Sequence, residues 1–237
     1  MNAKPHILIV EDEIAIRSGL IDVLLFHGYE VTSAEDGITG LDHALTGHFD
    51  LLLLDIMLPG MNGFDVCNAI RDVNKELPII MLTAKVSDED IVRGLRLGAD
   101  DYVAKPFSVE QLMLRIAAVL RRTRGSDVVE IVLRAEGCAD TVIDTRNLAG
   151  MFGDQPIHFT RREMAILEYL YAHAERPVSR DELLSEVWGY AKNLDIETRT
   201  VDIHIAKLRR KLEPDPKHPV HLTTVRGAGY RLNSAST

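Results

Sequence analysis

The sequence has little cysteine and no long hydrophobic run. Its 237 residues include only two cysteines, Cys67 and Cys138, which lie far apart and lack Cys-x-x-Cys spacing. This argues against a disulfide framework and a zinc site, and we expect both side chains to be buried fillers. No apolar stretch approaches the roughly 20 residues that span a bilayer. The amino terminus, Met-Asn-Ala-Lys-Pro-His, lacks the hydrophobic region of a signal peptide, so we expect a cytoplasmic protein without a membrane partner.

The sequence also lacks the overall positive charge that would be the simplest sign of a nucleic-acid partner. The net charge is −9, but it is uneven: residues 1–124 carry 12 Lys+Arg against 19 Asp+Glu, and the remainder carries 15 against 17. DNA affinity depends on local charge facing the phosphates more than on the sum over the chain. A dense basic patch on one helix-like segment therefore remains a candidate for DNA binding. It contains Arg199, Lys207, Arg209, Arg210 and Lys211 against Asp202 alone.

The length is comfortable for two domains, each with its own core. In the first half, β-prone runs alternate with helical patterns, and five such βα units predict a doubly wound parallel α/β sheet. A polar break without periodicity, Arg-Arg-Thr-Arg-Gly-Ser-Asp, follows at residues 121–127. We therefore predict one domain at residues 1–122, a linker at 123–129 and a second domain at 130–237.

The stretch from Asp50 to Gly63 reads Asp-Leu-Leu-Leu-Leu-Asp-Ile-Met-Leu-Pro-Gly-Met-Asn-Gly. Four leucines closed by Pro59 and Gly60 predict a buried strand of a parallel sheet. Asp55 follows that strand, at the carboxyl edge where open α/β sheets place their chemistry. A turn or helix cap is a common role for such an aspartate, so its neighbours must decide the interpretation.

Other predicted strands of the first half also end in polar side chains, which are Glu11, Asp12, Thr83 and Lys105. Carboxylates held together repel, and they make sense around a hard cation such as Mg²⁺. Asp55 could then attack a phosphoryl donor while Lys105 neutralises charge on the transferring oxygens. The Thr83 hydroxyl could hydrogen-bond the new phosphoryl group. Each residue alone is better explained as an ordinary surface or strand side chain, but their joint position at strand ends favours a site.

In the second half, short β-prone pieces between Val128 and Phe159 predict a small antiparallel sheet. Three helices are predicted to follow, the first two capped by Thr160 and Ser179 and the third running from about Thr198 to Leu212. The third helix has an apolar stripe of Val201, Ile205, Leu208 and Leu212. Its opposite side is predicted to carry Arg199, Thr200, Ile203, Ala206, Lys207 and Arg210.

A charged, solvated face is the commoner explanation for such a helix. The sequence that follows favours a DNA-binding role, because two β-prone runs flank Arg226-Gly227-Ala228-Gly229 and predict a hairpin. The helix face suits a major groove, and the turn could carry Arg226 into the adjacent minor groove.

The first half resembles the receiver domain of bacterial response regulators over residues 4–122. The matching motifs are Ile9-Val10-Glu11-Asp12-Glu13, Leu54-Asp55-Ile56-Met57-Leu58-Pro59, Leu82-Thr83-Ala84, Gly98-Ala99-Asp100-Asp101-Tyr102 and Lys105-Pro106-Phe107. The resemblance implies a flavodoxin-like fold in which a partner histidine kinase phosphorylates Asp55. It implies Mg²⁺ held by Asp12, Asp55 and the Met57 carbonyl, with Glu11 acting through water. It also implies a cis Lys105–Pro106 bond and a switch in which Tyr102 turns inward as Thr83 moves.

The resemblance further implies a symmetric homodimer of the phosphorylated protein, formed through the face that includes Ser87–Arg122. The charge pairs available for it are Asp101 with Arg115 and Asp100 with Arg122. A third pair would need a basic residue at Ile91 and an acid at Gln111, and both are absent.

The second half resembles the winged-helix effector of the OmpR/PhoB family over most of residues 130–233. The matching segments are Arg176–Arg180, Val187-Trp188, Arg199–Ile205, Leu208–Leu212 and Val225–Arg231. The resemblance implies double-stranded DNA with repeated half-sites as the ligand, and a loop at Trp188–Asp195 that can touch RNA polymerase. The implied DNA contacts are Arg199, Thr200, His204, Lys207, Arg209 as a phosphate contact, and Arg226.

We therefore expect a two-component transcriptional regulator rather than an enzyme. A phosphoryl-transfer enzyme is the first alternative, but no Asp-x-Asp follows the first strand and no Walker glycine loop occurs. A receiver whose effector binds protein instead of DNA is the second.

Overall fold

The structure is a computed structural model that describes residues 4–84, 88–121, 130–134, 140–189 and 199–233, without the side chains of residues 88–91, 121 and 199. The chain divides into two compact units, Met1–Arg121 and Arg122–Thr237. The predicted linker at 123–129 lies outside the described residues. Of the two cysteines, Cys67 is buried as expected, and Cys138 lies outside the described residues. Among the described helices, none is both long enough and apolar enough to cross a bilayer.

The first unit is the predicted doubly wound sheet. Its five parallel strands lie in the order β2-β1-β3-β4-β5, so the strand order reverses between β1 and β3. The strands are β1 (His6–Val10), β2 (Glu30–Ala34), β3 (Leu51–Asp55), β4 (Ile79–Ala84) and β5 (Asp101–Lys105). The helices are α1 (Ile14–Phe26), α2 (Gly37–Thr46), α3 (Gly63–Val73), α4 (Asp88–Leu97) and α5 (Val109–Arg121).

The leucines of β3 form the centre of this unit. Leu51 to Leu54 are fully buried because β3 lies between β1 and β4 and is covered on both faces. The strand includes Asp55, one residue beyond the predicted end, because Asp55 remains in register with Leu82 of β4. The sheet thus delivers Asp55 to its carboxyl edge.

The second unit combines a four-stranded antiparallel sheet, three helices and a two-stranded hairpin, as predicted. The sheet comprises β6 (Glu130–Leu133), β7 (Thr141–Asp144), β8 (Ala149–Phe152) and β9 (Gln155–His158). The helices are α6 (Arg161–Ala172), α7 (Arg180–Trp188) and α8 (Arg199–Leu212), and the hairpin joins β10 (Leu222–Val225) to β11 (Gly229–Leu232). We call this hairpin the wing.

The helix starts of the second unit follow from their caps. The Thr160 hydroxyl accepts from the Glu163 N–H at 3.3 Å, and the Glu163 carboxylate accepts from the Thr160 N–H at 2.8 Å. Ser179 likewise accepts from the Glu182 N–H at 3.1 Å. Both caps are therefore confirmed. The predicted apolar stripe of α8 is also confirmed, because all four of its residues join the core of this unit.

In the first unit, Arg71 forms a buried anchor between α3 and the turn before β5. Its Nε donates to the Gly98 carbonyl at 2.9 Å, and its Nη1 donates to the Leu77 carbonyl at 2.7 Å. Its Nη2 pairs with Asp100 at 2.9 Å, and the same carboxylate oxygen accepts from the Ile79 N–H at 2.9 Å. Both charged side chains are less than a tenth exposed, so each neutralises the charge of the other where water has little access.

We expect Arg71→Met to destabilise the first unit by about 3–5 kcal/mol, because it removes the buried counter-charge of the Asp100 carboxylate. The measurement is urea unfolding followed by far-ultraviolet circular dichroism. The fluorescence of Trp188, the only tryptophan, reports the second unit and should not shift. The matched control Arg96→Met replaces an exposed arginine of the same unit and should cost less than about 0.5 kcal/mol. Equal losses in the two variants would contradict the buried pair.

Candidate functional site

Three carboxylates meet at the carboxyl edge of the parallel sheet. Oxygens of Glu11, Asp12 and Asp55 lie within 4.8 Å of one another. Glu11 and Asp55 are buried, at 0% and 3% exposure, whereas Asp12 is exposed. The strand ends thus bring together the acids that the sequence predicted there.

The backbone fixes this cluster in place. The Glu11 N–H continues the sheet by donating to the Ala34 carbonyl of β2 at 3.1 Å. After β3, the Gly63 N–H donates to the Ile56 carbonyl at 2.9 Å. A Cβ at Gly63 would lie 2.0 Å from the Asp55 carbonyl oxygen, so only glycine allows α3 to begin this close to the end of β3.

Lys105, at the end of β5, bridges the two buried carboxylates. Its Nζ lies 2.8 Å from Glu11 Oε1 and 3.0 Å from Asp55 Oδ2. Burial lowers the pKa of Lys105, but the bonds to Glu11 and Asp55 outweigh it and the pKa is raised. The pKa of Glu11 is raised, mainly because the carboxyl group is buried. Asp55 raises the pKa further, whereas Lys105 lowers it by less than burial raises it. The Lys105–Pro106 bond is cis, as the resemblance implies.

The charges of this cluster suit a divalent cation. Three carboxylates face one ammonium group, so two negative charges remain when all four groups are ionised. Mg²⁺ prefers a few carboxylate oxygens plus water. The cluster offers carboxylate oxygens, and its exposed residue, Asp12, leaves the site accessible to water. Asp55 has one oxygen tied to the Ile56 N–H at 2.7 Å and the other to Lys105. Met57, predicted to offer its carbonyl, lies two residues beyond Asp55 with a side chain that is 70% exposed.

The two predicted switch residues lie on neighbouring strands. Thr83 is 1% exposed, and its hydroxyl donates to the Ala84 carbonyl at 2.9 Å. Tyr102 is partly buried on β5. Both line one small recess, partly open to solvent, together with Gly94 and Leu95 of α4. The two predicted switch residues are therefore neighbours at the same recess.

Three of the four residues predicted to form charge pairs in a dimer face, Asp100, Asp101 and Arg115, form ion pairs within the chain. Asp101 pairs with Arg115 of α5 at 2.9 Å, and Asp100 is held by Arg71 rather than offered at the surface. Arg71 was not predicted, because it lies 29 residues from Asp100 in the sequence and belongs to no motif. Arg122 and the side chain of Ile91 lie outside the described part of the structure, and Gln111 is exposed.

The second unit places several predicted DNA contacts differently from the expectation. The prediction that Thr200, Ile203 and Lys207 lie on an outward face is wrong, since they are only 2%, 9% and 8% exposed. His204 is fully buried with its ring 5.4 Å from that of Trp188. The Arg199 side chain lies outside the described residues. Ala206 and Arg210 of α8 are exposed.

Lys207 is buried because α6 supplies its counter-charge. Its Nζ lies 3.2 Å from the fully buried carboxylate of Glu163, and the Nζ of Lys211 lies 2.6 Å from the same group. Burial raises the pKa of Glu163, but the two lysines outweigh it and lower the pKa to about 2. The flank of α8 is thereby fixed to the start of α6.

Arg209 and Glu213 fix α8 to the wing. Arg209 donates to the Leu222 carbonyl at 2.8 Å and to the Thr224 hydroxyl at 2.7 Å. Glu213 accepts the consecutive N–H groups of Val220, His221 and Leu222 at 2.9, 3.1 and 2.7 Å. The exposed Arg226 lies at the turn of the wing, so its position relative to α8 is set by these bonds.

His221 is fully buried, and its two ring nitrogens have no hydrogen-bond partner among the described residues. Burial lowers the pKa of His221 below 6.5, against a smaller opposing effect of Glu213. The neutral ring therefore contributes its full stability above pH 6.5, and that contribution is lost as the pH falls below 6.5, where the unfolded histidine takes up the proton first.

We expect acidification from about pH 7 to about pH 5 to destabilise the second unit, and His221→Phe to make this fall shallower. Urea unfolding followed by Trp188 fluorescence measures the effect. The control His158→Gln, at an exposed histidine of the same unit, should keep the wild-type slope. A His221→Phe curve parallel to the wild type would contradict the assignment.

Comparisons with known proteins agree with this arrangement. Residues 7–117 match the family described as "Response regulator receiver domain", and residues 154–232 match "Transcriptional regulatory protein, C terminal". Sensory transduction protein RegX3 of Mycobacterium tuberculosis is 42% identical over 227 residues, covering 95% of this chain and 98% of the relative. Response regulator MprA of Mycobacterium avium is 40% identical, covering 96% of this chain and 97% of the relative.

Solved structures show the same likeness. A RitR mutant is similar with a TM-score of 0.76 and 28% identity, covering 98% of this chain and all of that one. DrrB of Thermotoga maritima, described as an OmpR/PhoB homologue, gives a TM-score of 0.53 and 29% identity over the same shares. The chain therefore belongs to the OmpR/PhoB family of two-component response regulators, which are transcriptional regulators with a receiver domain and a DNA-binding domain rather than enzymes.

Proposed function

We propose that this protein regulates transcription in response to phosphorylation of Asp55 by a partner histidine kinase. The observation that carries the proposal is the cluster of Glu11, Asp12 and Asp55 with Lys105 against its two buried members. In the transfer, an Asp55 carboxylate oxygen attacks phosphorus while the bond to the donor histidine nitrogen breaks, and the nitrogen keeps the bonding electrons. Asp55 has to exchange one present hydrogen bond for the new bond to phosphorus.

The residues around Asp55 have distinct proposed roles. Glu11, Asp12, Asp55 and the Met57 carbonyl hold Mg²⁺, which supplies charge neutralisation for the transferring oxygens when bound. Lys105 already lies 3.0 Å from Asp55 and would follow the negative charge onto the phosphoryl group. The new group adds roughly −1.5 to −2 charge and three acceptor oxygens. It would draw the Thr83 hydroxyl from the Ala84 carbonyl, and Tyr102 would turn inward as Thr83 moves.

We further propose that the receiver domain spans residues 1–122, the linker 123–129 and the effector domain 130–237. Phosphorylation favours a homodimer through the face of α4, β5 and α5, in which Asp101 and Arg115 exchange their present internal bond for bonds between copies. Asp100 and Arg122 contribute less, because Arg71 holds Asp100 inside the chain. The protein acts in the cytoplasm, where the dimer seats two effector domains on repeated DNA half-sites.

In the effector domain, the burial of several residues of α8 reduces the number of residues that we propose to contact DNA. Arg199, Arg210 and Arg226 are proposed to reach DNA, the last two because they are exposed. Thr200, His204, Lys207 and Arg209 belong to the predicted contact set, and we propose that they mainly hold α8 and the wing in position. The loop at Trp188–Asp195, largely outside the described residues, is a proposed contact for RNA polymerase. It begins at Trp188, against which Arg162 places its guanidinium 4.7 Å from the ring.

Incubation with a small phosphodonor and Mg²⁺ should add one phosphoryl group to the protein, and Asp55→Asn should abolish the addition. Mass spectrometry of the intact chain measures it. Asp50→Asn is the matched control, because Asp50 precedes the same strand at the opposite edge of the sheet and is exposed. That variant should be labelled like the wild type. Labelling that persists in Asp55→Asn would refute the assignment of the phosphoacceptor.

Arg210→Gln and Arg226→Gln should each weaken DNA binding and reduce the slope of log affinity against log salt by about one. Fluorescence anisotropy with labelled, mixed genomic fragments measures the slope. Arg146→Gln, at an exposed arginine on the turn between β7 and β8, serves as the control and should leave the slope unchanged. Wild-type binding that does not weaken as the salt concentration rises would contradict the proposed phosphate contacts.

A further inference from the structure

Arg17 of α1 holds the loop from which two of the clustered carboxylates project. Its side chain turns back toward the loop between β1 and α1, where Nη1 donates to the Glu11 carbonyl at 2.6 Å and to the Asp12 carbonyl at 3.0 Å. Its Nη2 lies 3.3 Å from Glu35 Oε2. The Arg17 side chain is only 14% exposed, whereas Glu35 is 77% exposed. The bond to the Glu11 carbonyl is partly buried, whereas the bonds to the Asp12 carbonyl and to Glu35 are exposed.

The loop has a reason to move if this anchor is removed. Glu11 and Asp12 are adjacent, and their carboxylates face that of Asp55 across 4.8 Å or less. Like charges at this distance repel, and a loop free to rotate its peptide groups would relax by separating them. With both carbonyls held by one guanidinium group, neither peptide group can rotate without breaking a charge-assisted hydrogen bond.

We propose that Arg17 is a positioning residue for the divalent cation of the receiver domain. It contacts backbone carbonyls of Glu11 and Asp12, and it acts on the cation only through the placement of their carboxylates. The inference rests on the proposed Mg²⁺ site and adds a residue that none of the sequence motifs marks. In metal sites, residues that orient the ligands typically change affinity by 10–100-fold when they are replaced.

The test is calorimetric titration of MgCl₂ into the full chain without any phosphodonor. Arg17→Gln should bind Mg²⁺ about tenfold more weakly than the wild type. Arg17→Lys keeps the charge, but its side chain is one bond shorter and reaches the two carbonyls less well, so its affinity should fall between the two. Glu35→Gln, which removes only the exposed partner of Arg17, should bind like the wild type. Thermal unfolding of each variant in EDTA gives the stability of the metal-free protein.

The outcomes separate this inference from the function on which it rests. A wild-type protein that takes up no Mg²⁺ overturns the proposed cation site itself. Wild-type binding with unchanged affinity in Arg17→Gln and Arg17→Lys overturns the role of Arg17 and leaves the site standing. An affinity loss that only parallels a fall in the metal-free melting temperature overturns it too, because Arg17 would then serve stability alone. Weakened binding at an unchanged melting temperature supports the inference.

Discussion

The mutual repulsion of three carboxylates at one edge of a sheet is the constraint on which the receiver domain depends. Glu11 and Asp55 are buried, so water cannot screen them as it screens surface acids. Their proximity is maintained by apolar strands whose registers place Glu11, Asp55 and Lys105 at the same edge. Lys105 offsets one charge, and the remaining negative charge suits the proposed Mg²⁺.

The effector domain handles a buried carboxylate in the opposite way. Glu163 is as deeply buried as Glu11, but it has two lysines against it and accepts a backbone N–H from Thr160. Its negative charge is thus neutralised by positive groups within the domain, and the low pKa of Glu163 follows from this. The cluster at Glu11 thus keeps negative charge that the proposed cation would neutralise, whereas Glu163 joins α6 to α8 with its charge already paired.

Much of the receiver site could be predicted because its signals are local. Each of Glu11, Asp55 and Lys105 lies at the end of a short apolar run, and strand ends of a parallel sheet share one edge. Arg17 and Arg71 gave no such signal, since each contacts backbone carbonyls that no side-chain pattern reveals. The position of Asp100 was missed because its partner Arg71 lies 29 residues away in the sequence.

The wrong predictions in the second half concern residues of α8 that are buried by neighbouring elements, and the sequence of one helix does not reveal those neighbours. A helical wheel gives the centre of the apolar stripe of α8, and that centre was correct. It does not show that α6 also covers one flank of α8, or that Lys207 forms an ion pair with Glu163 on that flank. β9 includes Pro156, which an edge strand tolerates.

The bonds of α8 to its surroundings bear on how the effector could read DNA. Lys207 and Lys211 join it to α6, whereas Arg209 and Glu213 join it to the wing. Asp202 adds a third connection, because it accepts from Tyr230 of the wing at 2.5 Å and from Arg180 of α7 at 2.6 Å. Polar side chains of the basic helix are thus used to fix its orientation, and the exposed arginines are carried on a preorganised frame. Such a frame would lower the ordering cost of seating a helix and a wing in adjacent grooves together.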